Sequence, residues 1–345
     1  MVIGRVDHRL GGMTGSARHM RRIAIVGAGQ LGRRYLEGLG AVHDSLEVHV
    51  VDPSVGSLAR AAEVSTGHQV LTHQDPSGCP DWVDLAVIAT TADVRAVAME
   101  EFAAATQTGF WIIEKVLGQG RQDLDQINAV TIDSSGAWVN MWNRMTLWYQ
   151  RIREVSHVSG PTRFEATGGS WGMGCNGIHL LDFCQWWTGE TLVEVDVAGL
   201  GGRWWPAKRD GFFEPSGQLV ASFSGGSVIT MSVDAPRREH GIYSLAGYDD
   251  LSQLSFEGLA GRWEIRQPWS EEVGRAVGPA GDALEGRIEF QSQRTPRLVN
   301  EILTEGTCPL PTLAEAAALH RPFLDAMISH WQGSTGQDCN RVPIT

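Results

Sequence analysis

The stretch RRIAIVGAGQLGRRYLEGLG, residues 21–40, leaves few folds open to this chain. Ile23 to Val26 form an unbroken apolar run, as in a strand buried on both faces of a parallel sheet. Gly27, Gly29 and Gly32 follow as G-x-G-x-x-G, and Leu31, Tyr35, Leu36 and Leu39 then mark one face of a helix. The first glycine makes the tight turn, the second lets backbone approach a pyrophosphate, and the third lets the helix pack on the strand. The helix start, with Gln30 and Leu31, offers free N–H groups and the positive end of its dipole to phosphate. A second strand, LEVHVVD, ends at Asp52, 20 residues after Gly32. A carboxylate there can take both hydroxyls of an adenosine ribose and would repel a 2′-phosphate. The unit predicts dinucleotide binding, with NAD favoured over NADP. An ordinary strand–turn–helix with incidental glycines is the alternative, and the completeness of the unit argues against it.

The pattern continues downstream. DLAVIAT (84–90) reads as a strand, ADVRAVAMEEFAAATQTG as a helix, and FWIIEKV (110–116) as a further strand. Strand and helix alternating at this spacing predict a doubly wound parallel sheet, a Rossmann domain over residues 21–142. Ligands of such sheets bind at the carboxyl ends of the strands. Thr90 and Thr91 end one strand there, and Glu114 and Lys115 end another. A charged pair can simply be a solvated strand terminus. Beside a dinucleotide site, Lys115 reads better as a cation aimed at a substrate oxygen.

A length of 345 residues suggests two domains, each with its own core. The net charge of −12 argues against general nucleic-acid binding, which needs phosphate-neutralising Lys and Arg. No apolar run reaches the roughly 18 residues that span a bilayer, so no membrane role is expected. Residues 1–20 lack the apolar core of a secretory signal and are expected to be a disordered extension. Five cysteines without framework spacing suggest free thiols in a reducing cytoplasm, and none forms a CxxC pair, so a zinc ribbon is not expected.

After about residue 143 the pattern changes. RFEATGGSW, LVEVDVAGL, QLVASFSGGSVITMSVDA and QLSFEGLAGRWEIRQ read as strands, with hairpin turns at Gly225–Gly226 and Leu259–Gly261. A helix, NRMTLWYQRIREV, precedes them, and a second helix at 174–187 is inserted after the first strand. This predicts a second α+β domain over 143–330 with a large, open, mostly antiparallel sheet carrying helices on one face. The last helix, TLAEAAALHRPFLDAMISHW, has the apolar spacing of a sheet or seam helix, so His320 and His330 read as seam or surface residues. Residues 331–345 are expected to be a mobile tail.

An ordered series of motifs resembles the Gfo/Idh/MocA family of glucose–fructose and inositol-type oxidoreductases. The series is GAGQLG, AVIATTADVRAVA, IIEKV where the family has Glu-Lys-Pro, NRMTLWYQRIR, GIHLLDFCQWWTG and PLPTLAEAAALHRPFLDAM, covering about residues 21 to 330. The resemblance implies hydride transfer between a nicotinamide and a sugar or polyol carbon, and homo-oligomers built through the open sheet. It implies that Lys115 touches the reacting oxygen and that Glu114 helps hold the nicotinamide ribose. It makes Asn143 and Arg144 substrate-pocket candidates, beside a capping or surface role. The sequence departs from the family at two places. Val116 replaces the proline, and Cys175-Asn-Gly-Ile-His179 replaces Asp-x-Gly-x-His.

Cys175 and His179 are i and i+4 on a helix, and Asn176 and His179 are i and i+3, so either pair can share a face. A metal would need a further ligand, Asp182 or Cys184, and no metal is expected. A Cys–His nucleophile would need an acyl substrate. Plain core packing of a thiol and a hydrogen-bonded histidine is a third reading. The fourth is an altered hydride-transfer site. In it His179 exchanges the hydroxyl proton or orients the substrate, Lys115 polarises the oxygen, and Asn176 supplies a neutral hydrogen bond. Among thirteen tryptophans, Trp186, Trp187, Trp204 and Trp205 suit a sheet–sheet interface, and Trp171 is placed at the pocket. Together these features predict an NAD-dependent oxidoreductase acting on a hydroxyl or keto carbon of a sugar, such as an activated or nonulosonic one. Imine reduction on the same fold, or a dinucleotide-binding sensor without turnover, are the alternatives.

Overall fold

The computed structural model describes residues 20–157, 159–239, 242–244, 253–266 and 273–345. The expected disordered extension therefore lies outside the described residues, apart from Met20.

Six parallel strands build the first sheet: β1 (Arg21–Val26), β2 (Leu46–Val51), β3 (Gln69–His73), β4 (Trp82–Ile88), β5 (Gln107–Ile113) and β6 (Gly136–Val139). Their order is β3-β2-β1-β4-β5-β6, so the direction of winding reverses between β1 and β4. Helices α1 (Gln30–Leu39), α2 (Val55–Ala62), α3 (Arg95–Ala105) and α4 (Arg121–Thr131) connect the strands. Ile23, Ala24, Val48, Leu85, Val87, Ile112 and Ile113 are fully buried, which is why these strands read as continuous apolar runs. β3 and β6 are short edge strands with little apolar signal, and the sequence pattern does not show them.

The second sheet holds β7 (Arg163–Gly168), β8 (Leu192–Asp196), β9 (Leu200–Pro206), β10 (Phe213–Phe223), β11 (Val228–Val233), β14 (Gln253–Gly258), β15 (Gly261–Arg266), β16 (Gly274–Val277) and β17 (Ala283–Gly286). A separate two-stranded ribbon pairs β12 (Arg237–Glu239) with β13 (Ile242–Ser244). The large sheet runs β17-β16-β15-β14-β7-β11-β10-β8, with β9 on the other half of β10. All pairs are antiparallel except β7 with β11. Helices α5 (Leu147–Ser156), α6 (Met173–Thr188) and α8 (Leu313–Thr335) complete this half, and α7 (Gln291–Glu305) precedes α8. No described helix is long and apolar enough to cross a membrane.

Four expectations need correction. The segment NRMTLWYQRIREV is not one helix: Trp142–Met145 form a 3-10 turn, Thr146 is extended, and α5 starts at Leu147. The second domain is not the contiguous span 143–330. Helix α7 returns to α1, and Leu298, Val299 and Ile302 share a core with Tyr35, Leu36 and Leu39. The tail is packed on the fold rather than extending from it. Val342 and Ile344 are completely buried, Val342 N–H donates to the Gln119 carbonyl at 3.0 Å, and Phe213 N–H donates to the Pro343 carbonyl at 2.8 Å. Its apolar pair is too short to read as an element, which hides the packing from a pattern search. Finally, Trp187 and Trp204 pack inside their own chain, Trp187 against Phe183 and Phe256, and Trp204 against Trp331. Trp186 packs edge-on against Trp187. The outer face of the second sheet instead carries charge, with Arg262 bridging Glu165 and Glu264.

Candidate active site

The winding reversal brings the glycine turn beside the end of β4. A side-chain carbon added at Gly27, whose φ is +100°, would lie 2.9 Å from the Ala89 backbone. One added at Gly32 would sit 1.9 Å from the Gly27 carbonyl oxygen, so α1 can approach its turn only because residue 32 is glycine. Gly29 is different. A carbon added there meets nothing within 4 Å, so its face is open for a ligand. The start of α1 has no side-chain cap and no acidic residue in its first turn, which leaves its N–H groups to an anion. Asp52 secures this turn: its Oδ2 accepts from Ala28 N–H at 2.7 Å and its Oδ1 from Ser54 N–H at 2.8 Å.

A cavity of about 320 Å³ opens at this point. Its walls are Gln30 and Leu31 from α1, Ala89 and Thr90 from β4, Arg95 from α3, and Glu114 and Lys115 following β5. The second domain closes it with Cys175 of α6, with Ala207, Lys208 and Arg209 from the β9–β10 turn, and with Glu214 and Thr345. Thr91 is not on the wall. The Thr90 hydroxyl oxygen is buried with no hydrogen-bond partner among the described residues, a free polar group at the wall of the cavity.

Lys115 reaches across the seam to the first turn of α6. Its Nζ lies 3.1 Å from the Cys175 carbonyl, 3.0 Å from Cys175 Sγ and 3.3 Å from Asn176 Oδ1. An ammonium has three N–H donors, and all three find acceptors here. Glu214 fixes that turn from below, accepting from Gly174 N–H at 2.6 Å and Cys175 N–H at 3.1 Å. Glu114 lies beside the lysine but is buried, and its Oε1 accepts from Tyr35 Oη and Asn140 Nδ2, both at 2.6 Å. The Lys115–Val116 peptide bond is cis. Arg95 donates to the Val116 and Thr90 carbonyls and so ties together the two strand ends that form the wall. Burial pulls its guanidinium down to about 10, so it stays charged at neutral pH. The sequence pattern offers no sign of Arg95, because it reads as a helical surface position.

The structure divides the candidates on α6. Cys175 is on the cavity wall and Asn176 touches Lys115. His179 is buried and is not on that wall. Its ring packs edge-on against Trp142, and its Nδ1 has no hydrogen-bond partner among the described residues. Burial above all, then the Lys115 ammonium, holds its imidazole well below the ordinary histidine range, so it is neutral. Asn143 donates to the His179 carbonyl at 3.0 Å and so acts as a structural tie.

Two proposed substrate contacts are not at the cavity. Arg144 is consumed by a buried ion pair with Asp182, Nη2 to Oδ1 at 2.7 Å and Nε to Oδ2 at 2.9 Å. It borders a different cavity, of about 410 Å³, with Arg153 and Trp186. Trp171 is a core residue whose indole N–H donates to the Ser232 carbonyl at 2.9 Å. Asp182, one possible partner of His179, is taken by Arg144.

No protein-family model matches the chain, and no curated protein sequence matches it. Solved structures do. The myo-inositol 2-dehydrogenase of Lactobacillus plantarum superposes with a TM-score of 0.65 at 15% identity, over 91% of this chain and 98% of that one. The scyllo-inositol dehydrogenase of Lactobacillus casei, solved with NAD(H) and scyllo-inositol, gives 0.62 at 14% identity, over 91% and 97%. The UDP-N-acetylglucosamine 3-dehydrogenase of Acidithiobacillus ferrooxidans gives 0.59 at 14% identity, over 88% and 95%. The fold implied by the resemblance to the Gfo/Idh/MocA family is therefore the fold observed: this chain has the two-domain architecture of these dehydrogenases along nearly its whole length.

Proposed function

We propose that the chain is an NAD-dependent oxidoreductase acting on a hydroxyl or keto carbon of a sugar or sugar derivative. The observation that carries this reading is the position of Lys115, a cation at the carboxyl end of β5, on a cavity shared by the glycine turn and the second domain. Proteins of the same fold act on inositols and a UDP-sugar, and one is solved with NAD(H) bound.

The residues fit a dinucleotide. Gly29 leaves open space for a pyrophosphate, the uncapped α1 start supplies N–H groups, and Asp52 puts a carboxylate at the end of β2. Gln30, Leu31, Thr90 and Glu114 line the adjoining space. When bound there, a nicotinamide supplies the hydride acceptor or donor. Every other contribution comes from side chains of the protein.

A substrate oxygen that reaches Lys115 displaces one of its three acceptors, and the thiol of Cys175 is the weakest of them. Lys115 then donates a hydrogen bond to a keto oxygen, or as a free amine takes the proton of a hydroxyl. His179, neutral, buried against Trp142 and off the cavity wall, leaves Lys115 as the principal proton-transfer group. The exposed Lys208 and Arg209 at the mouth favour a sugar bearing a negative group. Self-association through the outer face of the second sheet completes the reading.

Titration calorimetry with NAD(H) and NADP(H), followed by a sugar panel read by NADH absorbance, tests it. Binding of NAD(H) and turnover of a sugar are expected. Binding of neither dinucleotide, or a tenfold preference for NADP(H), overturns the cofactor assignment. Binding of NAD(H) without turnover of any sugar, with turnover of an imine substrate, overturns the substrate class.

A further inference from the structure

Three side chains able to ligate a metal converge at the β2–β3 edge of the first sheet. His49 lies on β2, His73 ends β3, and Cys79 follows the 3-10 turn Pro76–Gly78. Their ligand atoms all lie within 4.8 Å of one another. They form the one such group among the described residues, and none of the three lines the cavity around Lys115. The fold assembles them, not their spacing. The parallel register sets His73 opposite Val51 and so places it diagonally from His49 on the same face of the sheet.

We propose that His49, His73 and Cys79 bind a zinc ion, with Glu47 orienting His49. His49 Nδ1 lies 3.0 Å from His73 Nε2, and the two rings are nearly parallel, 15° apart. Zn–N bonds of about 2.0–2.1 Å and Zn–S bonds of about 2.3 Å put neighbouring ligand atoms of a tetrahedral site roughly 3.3–3.7 Å apart. The nitrogens must open by a few tenths of an ångström, and the thiol, no more than 4.8 Å from either, must close by at most about one, within reach of side-chain rotation. The protonation pattern also suits a metal. Glu47 Oε1 lies 3.0 Å from His49 Nε2, and a carboxylate only accepts, so Nε2 carries the proton and Nδ1 turns its lone pair toward His73 and Cys79. A carboxylate on the far nitrogen of a metal-bound histidine is a recurrent arrangement that fixes the ring and strengthens the ligand. Arg22 holds Glu47 in turn, Nε to Oε1 at 3.0 Å.

On binding, the Cys79 thiol loses its proton to water and forms the Zn–S bond. His73 moves its proton from Nε2 to Nδ1 and forms a Zn–N bond, and His49 donates its existing lone pair. One proton is released, and water completes the coordination. The imidazole pair with a thiolate suits zinc among common cellular ions, because calcium and magnesium prefer oxygen. The ion would clasp the end of β3 and the turn after it to β2. The His73 carbonyl already accepts from Asp52 N–H at 3.0 Å, so the clasp braces the strand end that carries Asp52.

The test uses the full chain, stripped with chelator and reloaded with Zn²⁺ or Co²⁺. Metal content after gel filtration should be one zinc per chain, and Co²⁺ should give a near-ultraviolet thiolate charge-transfer band. Cys79→Ser should abolish that band and weaken zinc binding at least tenfold, while Cys175→Ser leaves both unchanged. His73→Ala should also weaken zinc at least tenfold. Glu47→Gln should weaken it by about 10-fold, as loss of an orienting carboxylate does. No retained zinc in the native chain, no cobalt–thiolate band, or undiminished zinc in a folded Cys79→Ser or His73→Ala protein overturns the proposal. The cobalt band is read on the native chain, so a variant that fails to fold does not remove the test.

Discussion

The Lys115 ammonium sits 3.0 Å from the Cys175 sulfur, and the same nitrogen reaches the Cys175 carbonyl and the Asn176 side chain. The lysine of one domain is thus held by the helix of the other at the position where a reacting oxygen would enter. Losing a proton-transfer group costs about 10²–10⁴ in rate. We expect Lys115→Ala to lower kcat at least about 10²-fold with NAD affinity little changed, because the lysine lies beyond the glycine turn. Cys175→Ser keeps an acceptor of similar size beside Nζ and should retain at least about a tenth of the activity. Steady-state kinetics with calorimetry of NAD binding separates the two. Loss of all turnover in a folded Cys175→Ser protein would give the thiol a chemical role.

Gly29 and Gly32 should fail in different ways. Alanine at 29 meets no protein atom within 4 Å, so the fold should be kept and the melting temperature should hold. Its methyl group occupies the space offered to a pyrophosphate, and NAD affinity should fall more than about tenfold. Alanine at 32 would place its Cβ 1.9 Å from the Gly27 carbonyl oxygen, so α1 must move off its turn. Overpacking of this kind costs about 1–3 kcal/mol or more, and both melting temperature and affinity should drop. Equal melting temperatures for the two variants would contradict this division.

Acid should destabilise the protein through its buried histidines. His320 is completely buried, and burial first, then the Arg95 and Lys115 charges, pushes its imidazole down to about 3, against the pull of the Ala316 carbonyl. His179 is shifted in the same direction. An unfolded histidine takes a proton near pH 6.5, so the unfolded chain binds more protons below that value. The stabilising contribution is complete above pH 6.5 and is lost as pH falls toward the folded pKa, at about 1.4 kcal/mol per unit for each histidine. Asp182 works oppositely. Burial raises it to about 6 from 3.8 despite Arg144, so its share favours the acid side of that interval. Two histidines outweigh one aspartate, and the urea midpoint should fall between pH 6.5 and 5. His320→Gln, which cannot take the charge, should make that slope shallower, whatever its effect at neutral pH.

The parts legible in sequence are those in which one local rule fixes the answer. The Gly27–Gly32 turn needs glycine for steric reasons that hold in any chain, and the apolar runs at 23–26 and 84–90 mark buried strands, the second of which is observed two residues earlier, at Trp82–Ile88. The place of Lys115 on the cavity is legible because the carboxyl ends of strands in a doubly wound sheet face the ligand side. Arg144 was not, because its partner Asp182 lies 38 residues away on another helix, and only the fold shows that the guanidinium is neutralised. Nearness to α6 in sequence puts Trp171 at the pocket, but the indole turns to the Ser232 carbonyl and the core. Cys175 keeps several readings in the sequence, from packing thiol to nucleophile, because helix periodicity cannot tell which face of α6 meets Lys115. The cluster of His49, His73 and Cys79 has no motif spacing at all, since the register of two parallel strands creates it.

The last five residues close the seam, and removing them should show it. Arg341 Nη1 lies 2.7 Å from Asp123 Oδ1, where it meets the carboxylate that also caps the start of α4. Val342 and Ile344 have no exposed surface, and Gln119 Nε2 donates to the Ile344 carbonyl at 3.1 Å. Thr345 reaches the cavity wall and accepts from Ala92 N–H at 3.1 Å through its hydroxyl. Each fully buried aliphatic side chain contributes about 1.5–3 kcal/mol. Truncation after Asn340 should therefore lower unfolding free energy by about 3–6 kcal/mol in urea titration, with the unfolding slope unchanged if the remaining core still melts as one unit. Val342→Ala should cost a fraction of this, about 1–3 kcal/mol, since it removes one side chain and leaves the backbone bonds in place. A truncated chain with native urea stability would mean that the tail merely rests on the seam, and the expectation of a mobile tail would then be the better description.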